Sequence, residues 1–125
     1  MDSGQVFKDV LEIIKQIYTE RRIGKIEAHW LTEQQLLELN IKHLNHNYHT
    51  DIITFDYSRG NRISGELFIS TEMVKSNAAE HGCSVLKETQ RVVAHGILHL
   101  LGFGDKSQEE AVVMRTKENE VIARL

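Results

Sequence analysis

Two histidines and an aspartate in the C-terminal third form the pattern with the clearest chemistry. His95 and His99 are four residues apart, so on a helix both imidazoles leave the same face, with Cβ atoms about 5–6 Å apart. Gly102 can end that helix and reverse the chain, and Asp105 follows three residues later. Two histidines and a carboxylate leave one position of a tetrahedral zinc ion open for water, as in catalytic sites. The spacing therefore predicts one Zn²⁺ per chain, bound by His95, His99 and Asp105.

The residue after the first histidine separates this pattern from the metallopeptidase motif. Metallopeptidases place Glu there as the general base, whereas this chain has Gly96. Glycine inside a helix costs about 1 kcal/mol relative to alanine, which indicates close approach of a backbone or substrate, or packing alone. A metallopeptidase-like hydrolase is therefore a weaker alternative. A surface pair of histidines without a metal is the simplest other interpretation.

Hydrophobic periodicity predicts the elements that position these residues. The expected helices span 5–20, 33–44, 71–81, 87–101 and 107–125, and the expected strands span 25–31, 51–57 and 63–70. Residues 58–62 have the composition of a hairpin turn, so the second and third strands should be antiparallel. A right-handed crossover through helix 33–44 should set the first two strands parallel.

These elements define an α+β fold in one domain covering residues 1–125. We expect a small mixed sheet of three to four strands, packed with about five helices, and a metal motif on a central helix. Alternation over 25–31 places Trp30 on the core face, and Phe68 is likewise predicted to be a core residue.

Composition narrows the classes of function. The hydrophobic fraction of 41% and the charged fraction of 26% are typical of globular domains. Fifteen basic and eighteen acidic residues give a net charge of −3, and no basic block stands out. A protein held on duplex DNA by many phosphate contacts is therefore disfavoured, and no DNA partner is expected.

Several features predict a cytoplasmic protein without a membrane partner. No apolar stretch approaches the ~18 residues that a membrane helix needs. Asp2, Asp9 and Glu12 lie where a secretory signal would be basic and then apolar. The single cysteine, Cys83, cannot form an intrachain disulfide and is expected to be a buried structural thiol.

Further motifs, together with the metal motif, carry a family resemblance. The first is the run from His95 to Asp105 itself. The others are Thr50, Asp51, Ile53 and Phe55 at the start of the second predicted strand, Gly65 and Glu66 at the start of the third, and Asn45, Asn47 and Tyr48 ahead of the second strand. Over nearly the whole chain these residues resemble the YbeY family of bacterial ribosomal RNA maturation factors. The resemblance implies a zinc-dependent, single-strand-specific endoribonuclease that acts with the ribosome or its small subunit. Its implied roles are 16S rRNA 3′-end maturation and ribosome quality control.

The chain departs from the family pattern at three places. The family's usual third ligand is histidine, and Asp105 replaces it with a carboxylate, which is an ordinary zinc ligand. The family usually has an arginine just after the position of Tyr48, where this chain has His49 and a shortened loop. The chain given also begins close to its first helix, so we expect the family's opening strand to be short or missing.

The lost arginine leaves the phosphate-contacting residue open. Arg59, Arg62 and Arg91 are candidates that spacing alone does not separate, and His49 lies at the family's functional position. We predict His49 and Arg59 as the catalytic residues that steer the phosphate, with no evident side-chain general base. A ribosome-associated assembly factor with a mainly structural metal is the alternative from another class.

Other polar residues before the second strand have two interpretations. His43, His46 and His49 are either solvated loop histidines, which we favour, or part of a second metal site. Asn45 and Asp51 either contact substrate or shape the turn and the start of the strand.

Overall fold

The computed structural model describes residues 1–125, with five helices and three strands. They are α1 (Ser3–Ile17), β1 (Arg22–Leu31), α2 (Glu33–Leu44), β2 (Ile52–Asp56), β3 (Arg62–Ser70), α3 (Thr71–His81), α4 (Val85–Leu100) and α5 (Gln108–Ile122). This is the predicted α+β fold, and it begins with a helix. The largest differences in bounds are three residues each: α1 and α5 stop three residues before their predicted ends, and β1 begins three residues before its predicted start. No helix combines the length and apolar character needed to span a bilayer.

The three strands form one mixed sheet in the order β1-β3-β2. The hairpin is confirmed, since β2 and β3 pair antiparallel. The predicted parallel arrangement of β1 and β2 is wrong, because β1 pairs in parallel with β3 instead. The physical reason lies in β3, where Ile63, Leu67 and Ile69 are all fully buried. This most buried strand takes the central position, so the crossover from β1 includes both α2 and β2.

The two faces of the sheet are covered differently. Trp30 is half-buried and packs against the main core as predicted, a core that includes residues of α1 and α4. Phe68 does not belong to that core, because strand alternation turns it to the opposite face. There it stacks on His29 and contacts Phe55, whose ring in turn meets His43 of α2. The prediction that Phe68 is a core residue is therefore corrected to a half-buried position on the α2 side.

Helix α4 lies closest to the sheet and carries the two motif histidines. A Cβ atom at Gly96 would lie 2.7 Å from Ile52 Cδ1 and 2.9 Å from Leu67 Cδ2. Glycine thus allows close packing of the helix against β2 and β3. A glutamate at this position would collide with the sheet, which removes the structural basis for a metallopeptidase-like general base.

Candidate metal centre

The end of α4 brings together the three residues of the predicted metal motif. The Nε2 atoms of His95 and His99 are 2.9 Å apart. The Oδ2 atom of Asp105 lies 3.1 Å from His95 Nε2 and 3.4 Å from His99 Nε2. One ligand atom from each of the three residues fits within a 4.8 Å span. A single small cation can therefore contact all three side chains.

The hydrogen bonds behind the histidines make this group suitable for a metal. His99 Nδ1 lies 2.9 Å from the Phe103 carbonyl oxygen, and His95 Nδ1 lies 2.7 Å from Glu118 Oε2. These oxygens accept, so each Nδ1 carries a proton, which leaves Nε2 of each ring to offer its lone pair to a cation. Two such lone pairs and the Asp105 carboxylate oxygen repel one another unless a cation or a proton lies among them. Two nitrogens and one oxygen match the donors that Zn²⁺ prefers.

A tight turn after α4 places Asp105 opposite the histidines. Gly102 has a positive φ of 102°, a conformation that L side chains rarely adopt. The Phe103 amide donates to the Leu98 carbonyl at 3.1 Å, which closes the turn. The Phe103 ring then meets Tyr18 edge to face, with centroids 5.9 Å apart. The local turn at Gly102, together with the contact between Phe103 and Tyr18, thus returns Asp105 to the end of the helix.

Glu118 of α5 supports the centre and was not found from the sequence. Its side chain is 5% exposed, and it accepts from Arg91 Nη1 at 3.1 Å in addition to holding His95. Burial alone would lower the pKa of His95, but the hydrogen bond and charge of Glu118 outweigh it and raise that pKa. A usable signal existed in the sequence, because Glu118 lies on the same helical stripe as Met114 and Val121, which are both buried.

The histidines and Asp105 open into a cleft of about 480 Å³. Its remaining lining residues come from α2, the loop after it and β2: Asn40, Leu44, His46, Tyr48, Thr50, Asp51, Ile52, Ile53, Thr54 and Asp56. None of the lining residues is Lys or Arg, and three are Asp. The cleft is therefore acidic until a cation binds.

Asp51 stands immediately before β2 and faces this cleft. Asn77 Nδ2 donates to its Oδ2 at 3.3 Å. Burial raises the pKa of Asp51, although the charge of His95 and the backbone amides of Asp51 and Ile52 act in the opposite direction. The two interpretations offered by the sequence are therefore compatible, since Asp51 both precedes the strand and lines the site.

His49 and Arg59 lie outside the cleft. His49 Nδ1 is 3.2 Å from Glu33 Oε1 at the start of α2. Arg59 lies in the hairpin turn, where its backbone bridges to Arg62. Arg91, the third candidate arginine, lines a smaller cavity of about 220 Å³ that also includes His95. The structure thus places Arg91, rather than the two hairpin arginines, beside the centre.

The loop histidines do not converge on a second centre. His46 stacks on Tyr48, whereas His49 pairs with Glu33 and His43 meets Phe55. The only group of three or more potential ligands within metal-binding distance is the one at the end of α4. The interpretation as loop histidines holds for the positions of His46 and His49 but is wrong for His43, which belongs to the last turn of α2.

Comparison with known proteins identifies the family. Residues 2–125 match the family model described as Endoribonuclease YbeY. The chain belongs to the YbeY family. A YbeY endoribonuclease of Flavobacterium johnsoniae is 43% identical over 98% of this chain and 88% of its own length. One from Phocaeicola vulgatus is 46% identical over 82% of this chain and 75% of its own. The resemblance noted from the motifs is therefore confirmed.

A solved structure supports the YbeY-like architecture. The solution structure of TM1509 from Thermotoga maritima is similar with a TM-score of 0.68 and 26% sequence identity. The likeness covers 99% of this chain and 86% of that one. The arrangement of helices around a small sheet is therefore shared along nearly the full length.

Proposed function

We propose that this protein is a cytoplasmic, single-strand-specific endoribonuclease that requires one Zn²⁺ per chain. We further propose that it acts on rRNA with the ribosome or its small subunit, in 16S rRNA 3′-end maturation and ribosome quality control. Membership of the YbeY family supports the reaction class. The observation that carries the metal requirement is the convergence of two Nε2 lone pairs and one carboxylate oxygen at the end of α4.

His95, His99 and Asp105 would hold the ion, and each has a defined support. Glu118 and the Phe103 carbonyl each accept a hydrogen bond from Nδ1 of one imidazole, so both Nε2 atoms are aimed at the same point. Zinc at such a site supplies a Lewis acid that activates water near neutral pH and stabilises negative charge on a phosphoryl oxygen. The fixed tautomers mean that neither ring has to reorient when the site is filled.

Asp51 is the residue that we propose to handle the proton of the attacking water. It lines the cleft with His95, and Asn77 and backbone amides hold its carboxylate in place. A desolvated carboxylate with a raised pKa is a stronger base than an exposed one. The sequence offered no evident side-chain general base, and this position supplies one.

His49 and Arg59 remain proposed phosphate-steering residues, now for RNA that extends beyond the cleft. Both are exposed, and neither lines the cleft. We expect His49→Ala to lower cleavage while leaving zinc content intact. Parallel loss of cleavage and zinc would instead make His49 a structural residue or a ligand.

An assembly factor with a mainly structural metal is a second candidate, favoured by one observation. The cleft has no Lys or Arg to bind phosphate. In that case the metal would tie α4, the following turn and α5 together without turnover. Cleavage and stability therefore have to be measured separately.

The deciding experiment compares untagged wild-type protein with His99→Ala and Asp105→Ala. Elemental mass spectrometry should find about one zinc per wild-type chain and a large loss in both variants. Cleavage of a single-stranded oligoribonucleotide should follow zinc content, and a duplex of the same sequence should resist cleavage. Zinc binding without cleavage would favour the assembly factor, and absence of zinc after incubation with the metal would refute the proposed centre.

A further inference from the structure

We propose that the paired rings of His46 and Tyr48 form a stacking site for one unpaired nucleobase beside the metal centre. The proposal rests on the proposed function, since it assigns part of the cleft to the RNA substrate. Both residues line the cleft that includes the two motif histidines and Asp105. A base held there would place its own backbone close to the reacting centre.

The rings of His46 and Tyr48 stack on each other, and both residues are exposed. Their centroids are 5.2 Å apart with an interplanar angle of 20°, and Tyr48 Oη lies 2.9 Å from His46 Nδ1. Tyr48 is 55% exposed, so it contributes little to the core. Each ring uses one face for its partner, which leaves outer faces for another planar group. Bases stack on aromatic side chains in this manner in single-stranded RNA recognition.

A buried side chain holds the loop that carries this surface. Asn40 is 1% exposed, and its Nδ2 donates to the Tyr48 carbonyl at 2.9 Å. The Asn40 carbonyl accepts from the His46 amide at 3.2 Å. Asn45, with a φ of 57°, makes the turn from α2 into this loop. Because the loop is fixed before binding, little conformational entropy is lost when a ligand stacks on it.

The charge of the cleft favours a base over a phosphate as the bound group. Asp51, Asp56 and Asp105 line it, and no Lys or Arg does. Phosphate groups are repelled by these carboxylates except where a cation lies, whereas a neutral base is not. Aromatic stacking is therefore the main source of RNA affinity that the cleft offers away from the metal centre.

This assignment gives a physical basis for selectivity toward single strands. Bases inside a duplex are already stacked on their neighbours, so they cannot occupy the His46–Tyr48 surface without being unpaired. Every base has a flat face, so we expect weak dependence on sequence.

Fluorescence anisotropy of the zinc-loaded protein with a short labelled phosphorothioate oligoribonucleotide, which is slow to hydrolyse, tests the site. Tyr48→Ala should weaken binding about tenfold, within the range known for loss of one stacked base. Tyr48→Phe keeps the ring and should bind within about twofold of wild type. The matched control is Tyr57→Ala, since Tyr57 is 53% exposed and lies outside the cleft.

Abasic oligoribonucleotides separate stacking from other roles of the loop. Replacing the stacked nucleotide by an abasic one should weaken wild-type binding to the level of Tyr48→Ala and leave that variant unchanged. Equal loss in Tyr48→Phe and Tyr48→Ala, unchanged binding by Tyr48→Ala, or no RNA binding by wild type would each overturn the stacking site. If binding follows the expected pattern but no cleavage occurs, the stacking site stands and the nuclease proposal fails.

Discussion

Replacing Glu118 by Gln tests whether the carboxylate behind His95 tunes the metal centre. Glutamine has almost the same shape and keeps an oxygen that can accept the His95 Nδ1 proton. It removes the negative charge that lies 2.7 Å from that nitrogen and 3.1 Å from Arg91 Nη1. We expect Glu118→Gln to weaken zinc binding and, separately, to destabilise the metal-free fold.

The two effects differ in origin and size. Loss of such a supporting group typically weakens metal affinity by about 10- to 100-fold. Because the amide still accepts from His95, we expect the lower end, about tenfold, or about 1.4 kcal/mol. In the metal-free protein, Arg91 is 16% exposed and loses its carboxylate but keeps Asn119 Oδ1 at 3.0 Å. Leaving the Arg91 charge only partly satisfied in this way should lower the free energy of unfolding by about 1–3 kcal/mol.

The assay measures the two quantities independently. Competition with a chromophoric chelator gives the zinc Kd, and denaturant unfolding with excess chelator gives the free energy of unfolding. The control is Glu120→Gln on the same helix, since Glu120 is 37% exposed and its ion pairs are 3.9 Å and 4.0 Å long. Such surface pairs contribute about 0–1 kcal/mol, so this variant should leave the Kd unchanged.

Two results would contradict the reasoning. A zinc Kd equal to that of wild type would mean that Glu118 acts only on stability, through Arg91. An equal rise in Kd for Glu118→Gln and Glu120→Gln would mean that general charge, rather than the contact with His95, controls affinity.

The remaining predictions concern α4 and Asp51. Gly96→Ala should lower the free energy of unfolding by about 1 kcal/mol. Overpacking against Leu67 costs about 1–3 kcal/mol, and the better helix propensity of alanine offsets about 1 kcal/mol of that cost. Denaturant unfolding measures the change, and a variant more stable than wild type would contradict the prediction. Asp51→Asn should stabilise the metal-free protein at neutral pH. Burial raises the pKa of Asp51 in the folded protein. Ionised Asp51 therefore lowers the free energy of unfolding of the wild type. The difference from Asp51→Asn begins to grow as pH rises above the ordinary value of 3.8 and is complete once pH has passed the raised pKa. Unfolding curves from pH 4 to 8 with chelator measure the difference, and a gap that narrows as pH rises would refute it.

The local sequence pattern was sufficient to predict that the side chains of His95, His99 and Asp105 converge at the end of α4. The spacing of His95 and His99 follows from helix geometry, and the return of Asp105 follows from the positive φ of Gly102. Both depend on fewer than a dozen consecutive residues. The boundaries of α2 and α3 were predictable for the same reason, because their capping residues are adjacent to them in sequence.

Partners distant in sequence were not predictable in this way. Glu118 lies 23 residues beyond His95 on another helix, and no local pattern specifies that the two meet. The pairing of β1 depends on which strand becomes central, which the burial of β3 decides only once all the elements pack. Phe68 was misplaced because a single aromatic residue in a strand does not reveal which face is the larger core.

The two supports of the metal motif respond differently to mutation. His99 depends on a main-chain carbonyl at position 103, which no side-chain replacement can delete while the turn persists. His95 depends on the carboxylate of Glu118, which a single codon change removes. A substitution at position 103 therefore leaves the hydrogen bond to His99 in place, whereas a substitution at position 118 changes the group that contacts His95. Random mutagenesis with selection for activity should accordingly recover more substitutions at 103, chiefly apolar ones that keep the contact with Tyr18, than at 118.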